Sequence, residues 1–173
     1  VKHSLASSEY NIRRSQCEEG VMQIRQNYPS VNSLRDATME MVNECIGEFE
    51  TAHQRCKYVV EEIDRLQKGC KDLQAGDLIA FGKRMFATHD GLSKEYEVSC
   101  KELDYLVNYV RNNPAVIGAR MMGGGFGGCT INIIAKEKVE EILAKLSADY
   151  MKDMGKELKH YLVNIEDGTS LIG

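Results

Sequence analysis

The chain has 173 residues, 43% of them hydrophobic and 28% charged, with a net charge of −4. That is enough to bury one real core without staples, and residues 1–173 read as a single domain. Lysine and arginine are scattered rather than massed, so there is no nucleic-acid footprint, and no apolar run approaches the ~20 residues of a membrane-spanning helix.

The first three quarters carry helical periodicity. Ser7 and Ser8 are placed to cap a helix running to about Gln26, with Ile12, Cys17, Val21 and Ile24 toward one face. Tyr28-Pro29-Ser30 breaks it, and a shorter helical segment follows, opened by Ser33-x-x-Asp36 as a capping pair. Residues 51–73 form the clearest amphipathic helix, because Ala52, Cys56, Val59, Val60, Ile63, Leu66, Cys70 and Leu73 keep the helical period throughout. Ala75-Gly76-Asp77 turns the chain into another helix carrying Leu78, Ile79, Phe81, Met85 and Phe86. Ser99-x-x-Glu102 reads as a capping box ahead of Leu103, Leu106, Val107 and Val110, and Asn112-Asn113-Pro114 ends that helix.

The period then changes. Ala115–Met122 reads as a strand and Cys129–Ala135 as a β-branched apolar strand. Residues 137–150 return to helix, with Val139, Ile142, Leu143 and Leu146 on one side. His160–Ile165 reads as a short strand, Glu166–Thr169 as a turn and Ser170–Ile172 as a closing strand. The expected fold is α+β, a helical layer packed on a small, mainly antiparallel sheet. The six cysteines form no Cys-x-x-Cys and no zinc spacing, which reads as reduced thiols used as small hydrophobes in a cytosolic protein. His3, His53, His89 and His160 show no metal-ligand spacing and read as non-catalytic.

Between the two strands lie Gly123, Gly124, Gly125, Phe126, Gly127 and Gly128, five glycines in six residues of a chain with only 15 glycines in all. Glycine costs conformational entropy, so such a cluster marks backbone that takes φ > 0 or approaches something closely. Gly123-x-Gly125-x-x-Gly128 formally matches a dinucleotide-binding pattern, but that mechanism needs a helix directly after the loop, and Cys129-Thr130-Ile131-Asn132 favours a strand. No Gly-Lys-Ser/Thr follows, which excludes a P-loop. No His-Arg-Asp or Asp-Phe-Gly is present, which excludes a protein kinase. Two readings stay open: a tight hairpin whose glycines admit close packing, or a backbone cradle for an anion. Five glycines exceed what a hairpin turn needs.

The stretch Gly118-Ala119-Arg120-Met121-Met122-Gly123-Gly124-Gly125-Phe126-Gly127-Gly128-Cys129-Thr130 resembles the third signature of the galactokinases, a branch of the GHMP small-molecule kinase family. Val1-Lys2-His3-Ser4-Leu5-Ala6-Ser7-Ser8-Glu9-Tyr10, with Arg13-Arg14 and Gln16-Cys17-Glu18, resembles the segment that opens their C-terminal half. Tyr96-Glu97-Val98-Ser99-Cys100-x-Glu102-Leu103-Asp104 is similarly typical. The resemblance covers essentially the whole chain. One departure is Met122, where the family usually has Thr, which removes a hydroxyl beside the loop.

The resemblance implies a ferredoxin-like GHMP kinase C-terminal domain, from a cytoplasmic enzyme that phosphorylates D-galactose at C1 with ATP and Mg2+. It places the catalytic Asp, the phosphate-wrapping loop and most of the Mg2+ and nucleotide contacts upstream of Val1. It therefore implies a C-terminal half without kinase activity of its own, whose partner is the N-terminal half. The face shared with that half would be partly apolar and open to self-association. A kinase for N-acetylgalactosamine or arabinose, or a non-catalytic sugar and ATP sensor, is an alternative reading.

Residue by residue, Tyr10 matches the tyrosine that contacts galactose. Lys2 falls where the family has a cation near the nucleotide phosphates, and is equally a solvated lysine. Gly123 to Gly128 with Phe126 are phosphate-proximal. Arg120 suits either a phosphate or an acidic residue of the other half. Asp104 reads as structural rather than catalytic. No metal ligands and no catalytic residue are expected within these residues.

Overall fold

The computed structural model describes residues 6–165 and 168, with side chains from Glu9 onward. Helix α1 (Ala6–Asn27) is already running at Ala6, so Ser7 and Ser8 lie inside its first turn instead of capping it. Its inward face is Arg13, Gly20 and Ile24, a helical spacing one step away from Ile12, which is 43% exposed. Gly20 lets α3 (Thr51–Gln74) come close: a Cβ there would lie 2.3 Å from the Cys56 sulfur. Ile24, Val31, Leu34, Val42, Ile46, Ala52 and Cys56 form the core between these helices.

The segment opened by Ser33 is a turn, not a helix. The Asp36 carboxylate accepts from the amides of Asn32 (2.9 Å) and Ser33 (3.0 Å), folding back on its own backbone. These amide bonds hold its pKa below the usual carboxylate range. Short polar side chains compete with helix in this way. The following helix α2 (Met39–Cys45) starts instead at Thr38, whose hydroxyl accepts from the Met41 amide.

Helix α4 (Leu78–Lys94) is capped by Asp77, which accepts from the Ala80 amide at 2.9 Å. The far end of the α3 apolar stripe is open: Leu66 and Leu73 are exposed, as are Cys70, Leu78 and Ile79. No element covers the α3–α4 corner among the described residues, and Arg84 pairs with Asp72 to close it. Helix α5 (Lys101–Val110) follows, but its expected capping box is not formed. The Ser99 hydroxyl donates to Asp104 at 2.6 Å, and Glu102 pairs with Lys156. Asp104 takes the Ser99 proton in a charge-assisted bond, and α5 starts one residue later than the box requires, with Cys100 at its N-cap position.

Strands β1 (Val116–Met122) and β2 (Cys129–Ile134) pair antiparallel, from Val116 opposite Ile134 to Met122 opposite Cys129, with an irregularity between Val116 and Gly118. A turn of 3₁₀ helix, Lys136–Lys138, leads into α6 (Val139–Met154). Val107, Val110, Val116, Ala119, Ile142, Leu146 and Tyr150 join α5, β1 and α6 in a second core. The α+β expectation holds, with six α-helices and this two-stranded sheet among the described residues. The strand predicted at 160–165 is absent: those residues have no regular structure, and Tyr161, Leu162, Val163 and Ile165 are exposed. A strand needs an edge to pair with, and β propensity alone does not supply one. Residues 170–172 lie outside the described residues.

Helix α4 lies along the outer edge of β1. A Cβ on Gly82 would sit 1.9 Å from the Ile117 carbonyl oxygen, and one on Gly118 would sit 2.6 Å from the Gly82 Cα. The two glycines permit a backbone-to-backbone approach that fixes β1, and with it the loop that β1 leads into.

Candidate functional site

The glycine loop spans 123–128 between the paired ends Met122 and Cys129. Its backbone is left-handed almost throughout, with φ of +89° at Gly123, +87° at Gly125, +57° at Phe126, +136° at Gly127 and +95° at Gly128. L side chains rarely adopt such angles, so the run requires glycine at most positions. Phe126 is the exception, and its ring is what holds it there. The ring packs on Val98, Leu103 and Met121, which are at most 4% exposed, and the Phe126 amide donates to the Val98 carbonyl at 2.7 Å.

The two halves of the loop differ. Gly125 is pressed onto Val98, where a Cβ would lie 2.2 Å from the carbonyl oxygen. Gly123 and Gly124 are exposed, and a Cβ on either would meet nothing within 4 Å. Gly124 does not have a left-handed φ either. Packing and conformation therefore explain glycine at 125 and leave it unexplained at 124.

Val98 is positioned by the connection from α4 to α5. Glu97 takes φ +52°, an uncommon angle for a side chain, and its neighbours stabilise it. Arg13 on α1, 9% exposed, donates through Nε to the Tyr96 carbonyl (2.7 Å) and through a terminal nitrogen to the Glu97 carbonyl (2.9 Å). Its guanidinium also lies 5.9 Å from the Phe126 ring centroid. Arg55, buried on α3, donates to the Glu95 carbonyl and the Glu97 carboxylate. Two buried guanidiniums thus satisfy three consecutive carbonyl groups beneath the loop, a task that suits the five fixed donors of arginine.

Tyr10 stands on α1 one turn before Arg13 and is 58% exposed. It lies near enough to Tyr96 to add to the upward shift of that phenol, which burial dominates. The Tyr96 hydroxyl is 3.8 Å from the Cys17 sulfur, and hydrogen bonding by Cys56 draws the Cys17 thiol down to about 7. Arg13 therefore ties α1 to residues 96–97, and Val98 in turn carries the glycine loop. Lys2 lies outside the described residues. Arg120 turns back on its own strand, donating to the Met121 carbonyl at 3.1 Å. Met122, in place of the usual Thr, is 45% exposed. Among the described residues no group of three or more His, Cys, Asp or Glu could hold a metal ion.

His89, read from the sequence as non-catalytic, is built into the fold beside the loop. It is 2% exposed on α4, its Nδ1 accepts from the Met121 amide at 3.2 Å, and its Nε2 lies 3.2 Å from Asp104. Asp104 also accepts from Ser93 (3.0 Å) and Ser99. A histidine on an otherwise apolar helix face, beside Met85, was the available signal. Burial lowers its pKa below the ordinary 6.5, against the opposing pull of Asp104 and Asp90 and with Arg111 adding to it. The sign follows: as pH falls below 6.5 the unfolded chain binds a proton that the folded ring resists, so stability declines. Urea denaturation between pH 7.5 and 5.5 is expected to show this decline, and a His89→Asn variant is expected to lose that component of it.

Residues 70–153 match the family model described as GHMP kinases C terminal. A galactokinase from Clostridium beijerinckii is 41% identical over 99% of this chain and 44% of its own length. One from Thermotoga petrophila is 38% identical over 99% of this chain and 47% of its own length. The crystal structure of Lactococcus lactis galactokinase complexed with galactose superposes with a TM-score of 0.83 at 31% identity, over 91% of this chain and 41% of that one. The chain belongs to the galactokinase branch of the GHMP kinases. It spans less than half the length of the curated galactokinases it matches. In this chain the third-signature stretch forms the β1–loop–β2 hairpin, and the described part of the opening segment, from Ala6, lies in α1, which Arg13 ties to residues 96–97. No described helix is long and apolar enough to cross a membrane.

Proposed function

We propose that this chain supplies one side of the active site of an ATP-dependent kinase that phosphorylates galactose at C1. The glycine loop faces the nucleotide phosphates and Tyr10 faces the sugar. The observation that carries this reading is Gly124, an exposed glycine with open space around its missing side chain and no left-handed φ. A glycine there makes sense if a ligand approaches the backbone more closely than a Cβ allows. Successive backbone N–H groups in such a turn make a concavity suited to anions. Phosphoryl transfer depends mainly on positioning and charge neutralisation, which a fixed loop supplies. The exposed Tyr10 ring suits the apolar face of a pyranose, and its hydroxyl suits a sugar OH.

The family resemblance assigns the catalytic Asp and the second phosphate loop to sequence other than these residues, so this chain alone is proposed to transfer no phosphoryl group. The Mg2+ that accompanies ATP is proposed to be held mainly by the other half of the enzyme. The enzyme is proposed to work in the cytoplasm.

Gly124→Ala tests the reading, because the fold has room for the methyl. In the protein that contains this chain, galactose-dependent ADP release is expected to show KM for ATP raised about tenfold, with the thermal midpoint unchanged. An unchanged KM would remove the phosphate assignment.

A further inference from the structure

We infer that His89 is a positioning residue for the glycine loop, holding the last turn of β1 through the Met121 amide while Asp104 fixes its ring. The inference rests on the phosphate reading for its consequence, but not for its geometry.

Helix α4 lies along the outer edge of β1, where strand amides point away from β2. An amide on that edge has no sheet partner and, when buried, must find another acceptor. Met121 is fully buried, and His89 Nδ1 is that acceptor at 3.2 Å. An Nδ1 that accepts carries no proton, so the neutral ring holds its proton on Nε2, directed at Asp104 3.2 Å away. Asp104 is itself fixed by Ser93 at the end of α4 and by Ser99 ahead of α5. The chain of contacts runs from both helices through one imidazole to the second-last residue before the loop. Met121 is also part of the apolar bed on which Phe126 rests. The loop is thus held from two sides: Arg13, Arg55 and Val98 fix its middle, and His89 fixes its entry.

Two substitutions separate the ring's two bonds. In His89→Asn the amide oxygen falls where Nδ1 stands, so the Met121 acceptor is kept and the Asp104 contact is lost. In His89→Gln the amide nitrogen reaches toward Asp104 and the Met121 acceptor is lost. Both leave a similar void, so both are expected to lower the thermal midpoint by comparable amounts. The Met121 and Phe126 amides, read by hydrogen exchange without nucleotide, are expected to exchange about tenfold faster in His89→Gln and to stay near the parent rate in His89→Asn. KM for ATP is expected to follow the same split. Equal exchange in the two variants, tracking their midpoints, would reduce His89 to ordinary packing and overturn the inference. Should the glutamine variant not fold, imidazole ¹⁵N spectra of the unsubstituted protein decide: a proton on Nε2 supports the inference, and a proton on Nδ1 ends it. If loop amides of the unsubstituted protein ignore ATP, the phosphate reading alone fails, because exchange and tautomer are both read without ligand.

Discussion

Gly82→Ala is expected to destabilise the protein by about 3 kcal/mol or more, against the usual sign for that substitution in a helix. In an exposed helix interior, alanine gains roughly 0.5–1 kcal/mol over glycine because it loses less backbone entropy. Gly82 is buried in the middle of α4, and its Cβ would lie 1.9 Å from the Ile117 carbonyl oxygen and 2.5 Å from the carbonyl carbon. Those atoms are strand backbone, which cannot rotate aside as a side chain would. The opposing residue is Gly118, so neither partner has slack. Helix and strand would have to separate, loosening the contacts of Met85 with the strand and lengthening the His89 bond to Met121. Urea unfolding should show the loss as a lower midpoint at an unchanged slope. A midpoint equal to the parent's would mean that α4 does not sit where the structure places it.

This contact also shows what the sequence could and could not reveal. The periodicity of residues 51–73, the turn at Ala75-Gly76-Asp77 and the switch to β-branched residues after Pro114 were all local, and the corresponding elements formed where expected. The failures were competitions between local signals and distant partners. Ser99-x-x-Glu102 has the composition of a capping box, but Asp104 and Lys156 claim its two side chains. Ser33 and Asp36 make the backward bond of a capping pair, but the Asn32 amide shares that carboxylate and the segment closes as a turn. His160–Ile165 has strand composition but pairs with neither strand of the sheet. At the candidate site, the glycines were legible because φ > 0 leaves a compositional trace. Arg13, Val98 and His89 were not, because an arginine that binds carbonyls 83 and 84 positions away looks in sequence like any helical arginine. The tie from α1 to the carbonyls beneath the loop is made by that buried guanidinium, a long-range link that no local spacing encodes.

Gly125→Ala is expected to be the most damaging single change in the loop. Two costs coincide there. A φ of +87° is unfavourable for any L side chain by roughly 1–2 kcal/mol. The added Cβ would also stand 2.2 Å from the Val98 carbonyl oxygen and 2.7 Å from the Val98 Cβ. Val98 cannot retreat, since it is 4% exposed and its carbonyl holds the Phe126 amide at 2.7 Å. The loop must therefore lift off its bed, exposing the Phe126 ring and breaking that hydrogen bond. We expect stability to fall by about 2–4 kcal/mol, from strain and lost packing together. We expect turnover in the protein that contains this chain to fall roughly hundredfold, since a misplacement near 1 Å carries a cost of that order. Gly124→Ala provides the contrast: one residue away it should spare stability and act on ATP alone. Measured by denaturation and by KM for ATP, the pair separates glycine required by the fold from glycine required by the ligand. If the two variants lost stability equally, the loop would be a packing element throughout. If Gly125→Ala kept its stability, Val98 would not be the surface that shapes the loop.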